Sequence, residues 1–181
     1  MFRIALALFV IALPGSALAQ SGPAAGANPV SRAIKASWAG AKKNIVESAQ
    51  QMPDADFDFR PVATVRTFSA ILAHVAGANY EYCAAARAEK SPHAEDEFEK
   101  NAKTKAAIVK ALQESLAYCD KAYDALTDQS AGEVVAGAFG SPRAARAVAL
   151  IDNAGHLQEH YGNLVTYFRI KGMVPPSSKG Q

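Results

Sequence analysis

The chain lacks several features that define well-known functional classes. Its 181 residues carry a formal net charge of only +2, so it lacks the basic excess with which proteins bind a nucleic-acid backbone. No glycine-rich phosphate loop follows a strand, and no context supports catalysis by a Ser, His and Asp triad. No segment rich in Val and Ile alternates with polar residues, so no β-sheet is required. We therefore expect an all-α protein that does not bind nucleic acid.

Long apolar runs are also missing after the first 13 residues. The chain begins with a basic tip at Arg3, a short apolar run and the small-residue sequence Ala17-Leu-Ala19. This order is typical of a secretory signal peptide, and the run is shorter than the about 20 apolar residues that span a bilayer. We predict a signal peptide over residues 1–19, cleaved after Ala19. A periplasmic or secreted location follows, with no lipid anchor and no stable membrane insertion after cleavage.

Apolar residues recur every three or four positions in four later segments, which indicates four amphipathic helices. Pro53 ends the first segment, Thr67 is a candidate N-cap of the second, and Ser141-Pro142 begins the fourth. The predicted helices are residues 29–51, 67–87, 98–126 and 141–171. A flexible leader at 20–28 and a tail at 173–181 flank a bundle domain at 29–172.

Only four histidines occur, and three of them lie in helical segments. His156 and His160 are four residues apart, which places them one turn apart on the same face of a helix. His74 lies in another helix among small neighbours, which leave a hollow around an imidazole. These three side chains predict a three-nitrogen metal site. The alternative is that they are polar residues satisfied within the core, and His93 is interpreted as a surface histidine.

Three nitrogen ligands with open coordination positions favour a catalytic metal, because structural zinc is usually closed by four protein ligands. Zinc, nickel and iron(II) all accept imidazole, so the identity of the divalent ion stays open. Histidine ligands generally need an acceptor at the second ring nitrogen. Asp152 and Asn153, about one turn before His156, are the candidates for this role. The alternative for Asp152 is a solvated surface carboxylate.

Two cysteines, Cys83 and Cys119, are an even number in a chain predicted to reach an oxidising compartment. This favours a disulfide between them, and the alternative is two unrelated buried thiols. In an antiparallel hairpin of the second and third helices, the two would lie roughly 25 Å apart. Disulfide-bonded Cα atoms lie only about 4.4–6.8 Å apart. A disulfide therefore requires these two helices to be parallel.

The order of these motifs resembles a known family. A first helix and a Pro-rich loop precede the sequence from Thr67 to His74 (TFSAILAH), and a late helix carries His156-Leu-Gln-Glu-His160 and a closing Gly-Met-Val-Pro-Pro176. These elements are similar to the DinB/YfiT-like superfamily, in its DinB-like metalloenzyme branch, over nearly all of the mature chain. The resemblance implies a four-helix bundle with up-down-down-up connectivity. It also implies a divalent metal bound by the same three histidines.

Three functions remain open from the sequence. The first is a metal-dependent enzyme of unknown substrate, of hydrolase or thiol-transferase type. The second is a bundle that binds a metal or small ligand without turnover, in a stress-related role, and the third is a metal-free bundle whose histidines are remnants. A small-molecule substrate and a second copy in a homodimer are the partners that stay open.

Overall fold

The computed structural model describes residues 28–180, so the predicted signal peptide and nearly all of the leader lie outside the described residues. No helix of this part is long and apolar enough to cross a membrane. Its helices and strands are α1 (Pro29–Gln51), α2 (Phe68–Arg87), α3 (Glu97–Asn101), α4 (Lys105–Ala125), α5 (Asp128–Ala131), β1 (Val134–Val135), β2 (Ala144–Ala145) and α6 (Arg146–Ile170). The long helices α1, α2, α4 and α6 form the bundle, and α2 contacts both α4 and α6.

Helices α2 and α4 run in the same direction. The Asn79 amide donates to Ser115 Oγ over 3.0 Å, and one turn later a disulfide joins Cys83 to Cys119 with their Cα atoms 5.2 Å apart. Residue numbers therefore rise together along the two helices. The disulfide is present as predicted from the sequence, together with the parallel pair that it requires.

Helix α1 runs against α4. Lys35 near the start of α1 donates to the backbone oxygen of Asp124 near the end of α4. Two turns further along α1, Lys42 is paired with Asp120, so residue numbers rise on one helix as they fall on the other. Trp38 lies between these contacts, and its indole N–H donates to the same Asp120 carboxylate.

Helices α2 and α6 are antiparallel, which completes the connectivity. The rings of Phe68 and Phe168 pack with centroids 5.5 Å apart at one end of the pair. At the other end, the amide of Asn153 lies 3.3 Å from the sulfur of Cys83. Since α1 opposes α4 and α6 opposes α2, the four helices run up, down, down and up. The predicted bundle and its connectivity are confirmed.

Two predicted helix boundaries are wrong. The third predicted helix is broken, because Ala102 is extended and Thr104 accepts a hydrogen bond from the Ala107 N–H as the N-cap of a new helix, α4. The fourth helix begins at Arg146 rather than near Ser141. The two residues before it are extended and pair with β1, a short antiparallel ladder that alternation of the sequence did not indicate.

Two of the segments outside the helices, the loop before α2 and the predicted tail, are hydrogen-bonded to the bundle. The backbone N–H of Phe68 donates to the oxygen of Phe59, and the N–H of Ser69 donates to the oxygen of Phe57. The loop before α2 is therefore fixed to the start of that helix. The predicted tail also contacts the bundle, where the Ser177 N–H donates to the Tyr161 hydroxyl over 2.8 Å.

Candidate metal centre

The three histidines predicted as ligands meet between α2 and α6. His74 is in the first half of α2, and His156 and His160 are on consecutive turns of α6. The Nε2 atom of His156 lies 3.1 Å from Nε2 of His74 and 3.0 Å from Nε2 of His160. Within residues 28–180, these three form the group of His, Cys, Asp and Glu side chains whose ligand atoms come within 4.8 Å of one another.

Three imidazole nitrogens this close cannot satisfy one another. A ring nitrogen carries either one proton or one lone pair, so Nε2 of His156 can pair well with one neighbour and not with two. His74 and His160 are only 8% and 7% exposed, which leaves little water to serve the remaining nitrogen. A cation placed between the rings would accept all three lone pairs at once.

Burial keeps the two histidines of α6 neutral. Loss of hydration lowers the pKa of His156 to about 3, with further lowering from His160 and His74. Loss of hydration also lowers the pKa of His160 to about 4, and His74 adds to the effect. Both imidazoles are therefore unprotonated near pH 7, which is the form that binds a metal ion.

The outer nitrogen of His74 has a carboxylate partner that the sequence did not reveal. Nδ1 of His74 lies 3.1 Å from Oε1 of Glu99, and Oε2 of the same carboxylate accepts from Nε of Arg66 over 3.2 Å. Glu99 therefore directs the Nδ1 proton of His74 outward and leaves the Nε2 lone pair facing the other histidines. Glu99 lies on the short helix α3, 25 residues from His74, and no local spacing links the two.

The segment that carries Glu99 approaches α2 closely at a glycine. A Cβ atom at Gly77 would lie 1.8 Å from the backbone oxygen of Glu95. Any side chain at position 77 would therefore push away the chain that leads into α3. This close approach is what lets Glu99 reach the ring of His74.

The two predicted acceptors for the histidines do not fill that role. The amide of Asn153 is buried and lies 3.3 and 3.5 Å from the sulfurs of Cys83 and Cys119, because its position on α6 faces the disulfide. Asp152 is exposed, as its alternative interpretation had it. Within residues 28–180 no hydrogen bond joins either side chain to a histidine nitrogen, so this prediction is wrong.

The Nδ1 atoms of His160 and His156 have weaker hydrogen-bond partners than Nδ1 of His74, or none. The side-chain nitrogen of Asn163 lies 3.5 Å from Nδ1 of His160, at the limit of a hydrogen bond. Nδ1 of His156 is buried and has no hydrogen-bond partner in the part of the chain that the structure describes. His93 lies apart from the cluster, where its ring contacts the carboxylate of Glu97 over 3.1 Å.

A family model for the DinB superfamily matches residues 38–164, which include the three histidines and most of the bundle. The chain belongs to the DinB superfamily. The resemblance inferred from the sequence motifs is thereby confirmed. No curated protein sequence matches the chain.

Solved structures show the same fold as this DinB superfamily protein. A DinB-like protein from Bacillus cereus superposes with a TM-score of 0.66 at 14% identity, covering 80% of this chain and 95% of that one. A conserved protein from Enterococcus faecalis gives 0.61 at 16% identity, covering 78% and 96%. A mycothiol-dependent maleylpyruvate isomerase also gives 0.61, at 17% identity, covering 74% of this chain and 60% of that one. At these identities the likeness concerns the fold alone.

The donor set of this DinB superfamily protein fits a divalent ion. Nitrogens at about 2.1 Å from one ion lie about 3.0–3.4 Å apart when the angle between them is about 90–109°. The observed separations of 3.0 and 3.1 Å from His156 lie in this interval. Three imidazole ligands suit zinc, nickel or iron(II), and they leave coordination positions open.

Proposed function

We propose that the protein binds one divalent metal ion through His74, His156 and His160. The observation that carries the proposal is the meeting of three Nε2 atoms that cannot all be satisfied by hydrogen bonds to one another. Supporting it are the low pKa values of His156 and His160, since a neutral imidazole keeps its lone pair. The hydrogen bond from His74 to Glu99 also supports it, because such a carboxylate fixes the orientation of a histidine ligand.

We further propose that the site is catalytic and acts on a small molecule. A divalent ion would supply Lewis acidity, polarising a carbonyl group or lowering the pKa of a water or thiol toward neutral. Burial would keep His156 and His160 neutral, and Glu99 would orient His74. The burial of His74 and His160 would limit access of bulk water. Hydrolysis and thiol transfer are the two reaction types. The fold shared with a mycothiol-dependent isomerase supports the second.

Export is part of the proposal. The order of a basic tip, an apolar run and Ala17-Leu-Ala19 supports it. The disulfide between Cys83 and Cys119 supports it too, because such bonds persist in oxidising compartments. Intact-mass measurement of protein from the periplasm and the medium should give a chain that starts at Gln20. Recovery of the protein only from the cytoplasm, with Met1 retained, would contradict export.

Metal analysis of the purified mature chain tests the metal site. After dialysis against metal-free buffer, we expect about one zinc, nickel or iron ion per chain. The double variant His156→Ala, His160→Ala should lose it, and His93→Ala, which removes a histidine outside the cluster, should keep it. Full metal content in the double variant would refute the assignment of ligands, and no metal in the wild-type protein after reloading would refute the site.

One observation favours a second function, binding of a metal or small ligand without turnover. Glu99 is the carboxylate that contacts the histidine cluster, and both of its oxygens are engaged, by His74 and by Arg66. A general base for catalysis would need a free acceptor near the reacting group. Assay of the metal-loaded protein against panels of esters, amides and thiol acceptors separates the two functions, since a binding protein would give no metal-dependent turnover.

A further inference from the structure

A cavity of about 440 Å³ lies beside the histidine cluster. Its walls come from the loop that precedes α2, from Ile71 in the first turn of α2 and from the last three turns of α6, where His160 forms part of them. Cavities that bind small molecules usually measure about 300–1,000 Å³, so this one can hold a small organic compound. A second cavity of about 410 Å³, beside Arg87 and Arg146, contains none of the three histidines.

The wall of the first cavity contains one cationic side chain. Arg66 lines it, and no Asp or Glu among the described residues does so. The guanidinium of Arg66 is therefore the one charged group among the described residues that lines this cavity. Its ion pair with Glu99, which does not line the cavity, uses Nε alone, so its free end favours an anionic ligand over a neutral or cationic one.

Arg66 is held in place with most of its donors unused. The Tyr167 hydroxyl donates to the backbone oxygen of Arg66 over 2.7 Å, and Nε of the guanidinium donates to Glu99 over 3.2 Å. The two terminal NH₂ groups make no hydrogen bond to residues 28–180. The side chain is 47% exposed. A guanidinium anchored at Nε presents its end in the fork geometry that matches a carboxylate.

The rest of the wall is largely apolar near Arg66. Val65, Ile71 and the ring of Tyr167 line the cavity, and Val65 is 38% exposed although it is aliphatic. Thr166 adds a hydroxyl further along α6. An apolar surface beside a single cation suits a ligand with one negative charge and a hydrocarbon body, whereas a phosphate dianion usually meets several donors or a helix N-terminus.

We propose that this cavity binds a small organic monocarboxylate, whose carboxylate pairs with the terminal NH₂ groups of Arg66. Its hydrocarbon body lies against Val65 and Ile71, and its far end reaches His160. This inference rests on the proposed function in one respect only, because it takes the cavity to be the substrate pocket of the metal centre. It assigns the substrate class as organic acids.

Calorimetric titration of the mature chain with matched acids and amides tests this assignment. The probes are benzoate, 3-phenylpropionate and hexanoate, each paired with its primary amide and with phenyl phosphate as a dianion control. We expect at least one acid to bind about tenfold more tightly than its amide, which is the effect of one charge-assisted hydrogen-bond pair at a half-exposed site. This comparison uses the wild-type protein and does not depend on the folding of any variant.

Variants of Arg66 locate the effect. Arg66→Gln should abolish the preference for acid over amide, and Arg66→Lys should keep part of it, since the charge stays but the fork is lost. Arg169→Gln removes the same charge from an exposed position of α6 that does not line the cavity, and it should bind as the wild type does. Circular dichroism melts of all three check that they fold.

The outcomes separate this proposal from the metal site. Titrations are run on metal-free protein and on protein loaded with zinc, with the metal content measured in the same samples. An acid preference that depends on Arg66 in a chain that binds no metal would leave this proposal standing and refute the metal site. Equal binding of acids and amides, tighter binding of phenyl phosphate, no binding of any acid at millimolar concentration, or an unchanged preference in Arg66→Gln would overturn it.

Discussion

Reduction of the disulfide between Cys83 and Cys119 should lower the stability of the protein by a predictable amount. The bond closes a loop with a sequence separation of 36 residues. In the chain-entropy model this removes about 12.8 cal/mol/K from the unfolded state, or about 3.8 kcal/mol at 25 °C. Typical domains unfold with about 5–15 kcal/mol, so the bond accounts for a large share of the total.

The burial of the bond determines how the experiment is done. Both sulfurs are fully buried and contact the amide of Asn153. Replacing Cys83 and Cys119 by Ala would therefore add the cost of a small cavity to the loss of the cross-link. The wild-type protein can instead be reduced in denaturant, refolded and kept under reductant. This form keeps every side-chain heavy atom, so its comparison with the oxidised form isolates the effect of the bond.

Urea unfolding of the oxidised and reduced protein measures the difference. We expect the reduced form to be less stable by about 3–4 kcal/mol. We also expect it to unfold with a larger denaturant slope, because an unfolded chain without the cross-link exposes more surface. Equal slopes together with a difference below about 1 kcal/mol would refute the reasoning, since the bond would then constrain the unfolded chain hardly at all.

Three further predictions concern the site and its surroundings. Because burial lowers the pKa of His156 to about 3, the unfolded chain binds more protons than the folded one below about pH 6.5. Metal-free protein should therefore lose stability as the pH falls from about 6.5 to about 4. His156 contributes up to about 1.4 kcal/mol per pH unit to this loss, and His160, whose pKa is lowered to about 4, adds to it. Urea titrations of the wild type and His156→Gln check this. Glu99→Gln should weaken metal binding about 10–100-fold in a chelator competition assay, whereas Glu97→Gln on the same helix should not. Gly77→Ala should cost about 1–3 kcal/mol of stability because its Cβ would meet the Glu95 backbone, while Gly155→Ala, which meets nothing within 4 Å, should not destabilise.

Each of these has an outcome that contradicts it. The same loss of stability in His156→Gln as in the wild type would remove His156 as the cause of the pH dependence. Equal metal affinity of the Glu99 and Glu97 variants would mean that the hydrogen bond to His74 does not orient the ring. A Gly77 variant as stable as the wild type would show that the approach of the segment before α3 is looser than the structure describes.

Local periodicity was enough to predict the long helices and the histidine pair. The i,i+4 spacing of His156 and His160 fixes their common face whatever surrounds them. Thr67 was predicted as an N-cap, and its side chain does accept a hydrogen bond from the N–H of Ala70. Such features depend only on residues a few positions apart, so a single sequence is enough to predict them.

The missed features depend on distant partners. Thr104 is a residue type that favours an N-cap, but the apolar spacing continues across it, so periodicity alone does not reveal the break after α3. The spacing of apolar residues predicts that Asn153 lies on the inner face of α6. Whether its amide contacts the disulfide or a histidine depends on how three helices pack together. Glu99 is recognisable as a partner of His74 only after the chain has folded back over α2.

The path of the segment between α2 and α4 links the connectivity of the bundle to the chemistry of the site. Because α2 and α4 are parallel, the end of α2 and the start of α4 lie at opposite ends of the pair, about one helix length apart. A tight turn cannot join them, so residues 88–104 must run back along the bundle before α4 begins. This stretch brings Glu99 to His74 on its way. A short turn between the same two helices would reverse the direction of α4. That reversal would separate Cys83 from Cys119, and His74 would lose the carboxylate of Glu99. The length of this connector is thus under chemical constraint, and deletions within it should be tolerated far less than in an ordinary surface loop.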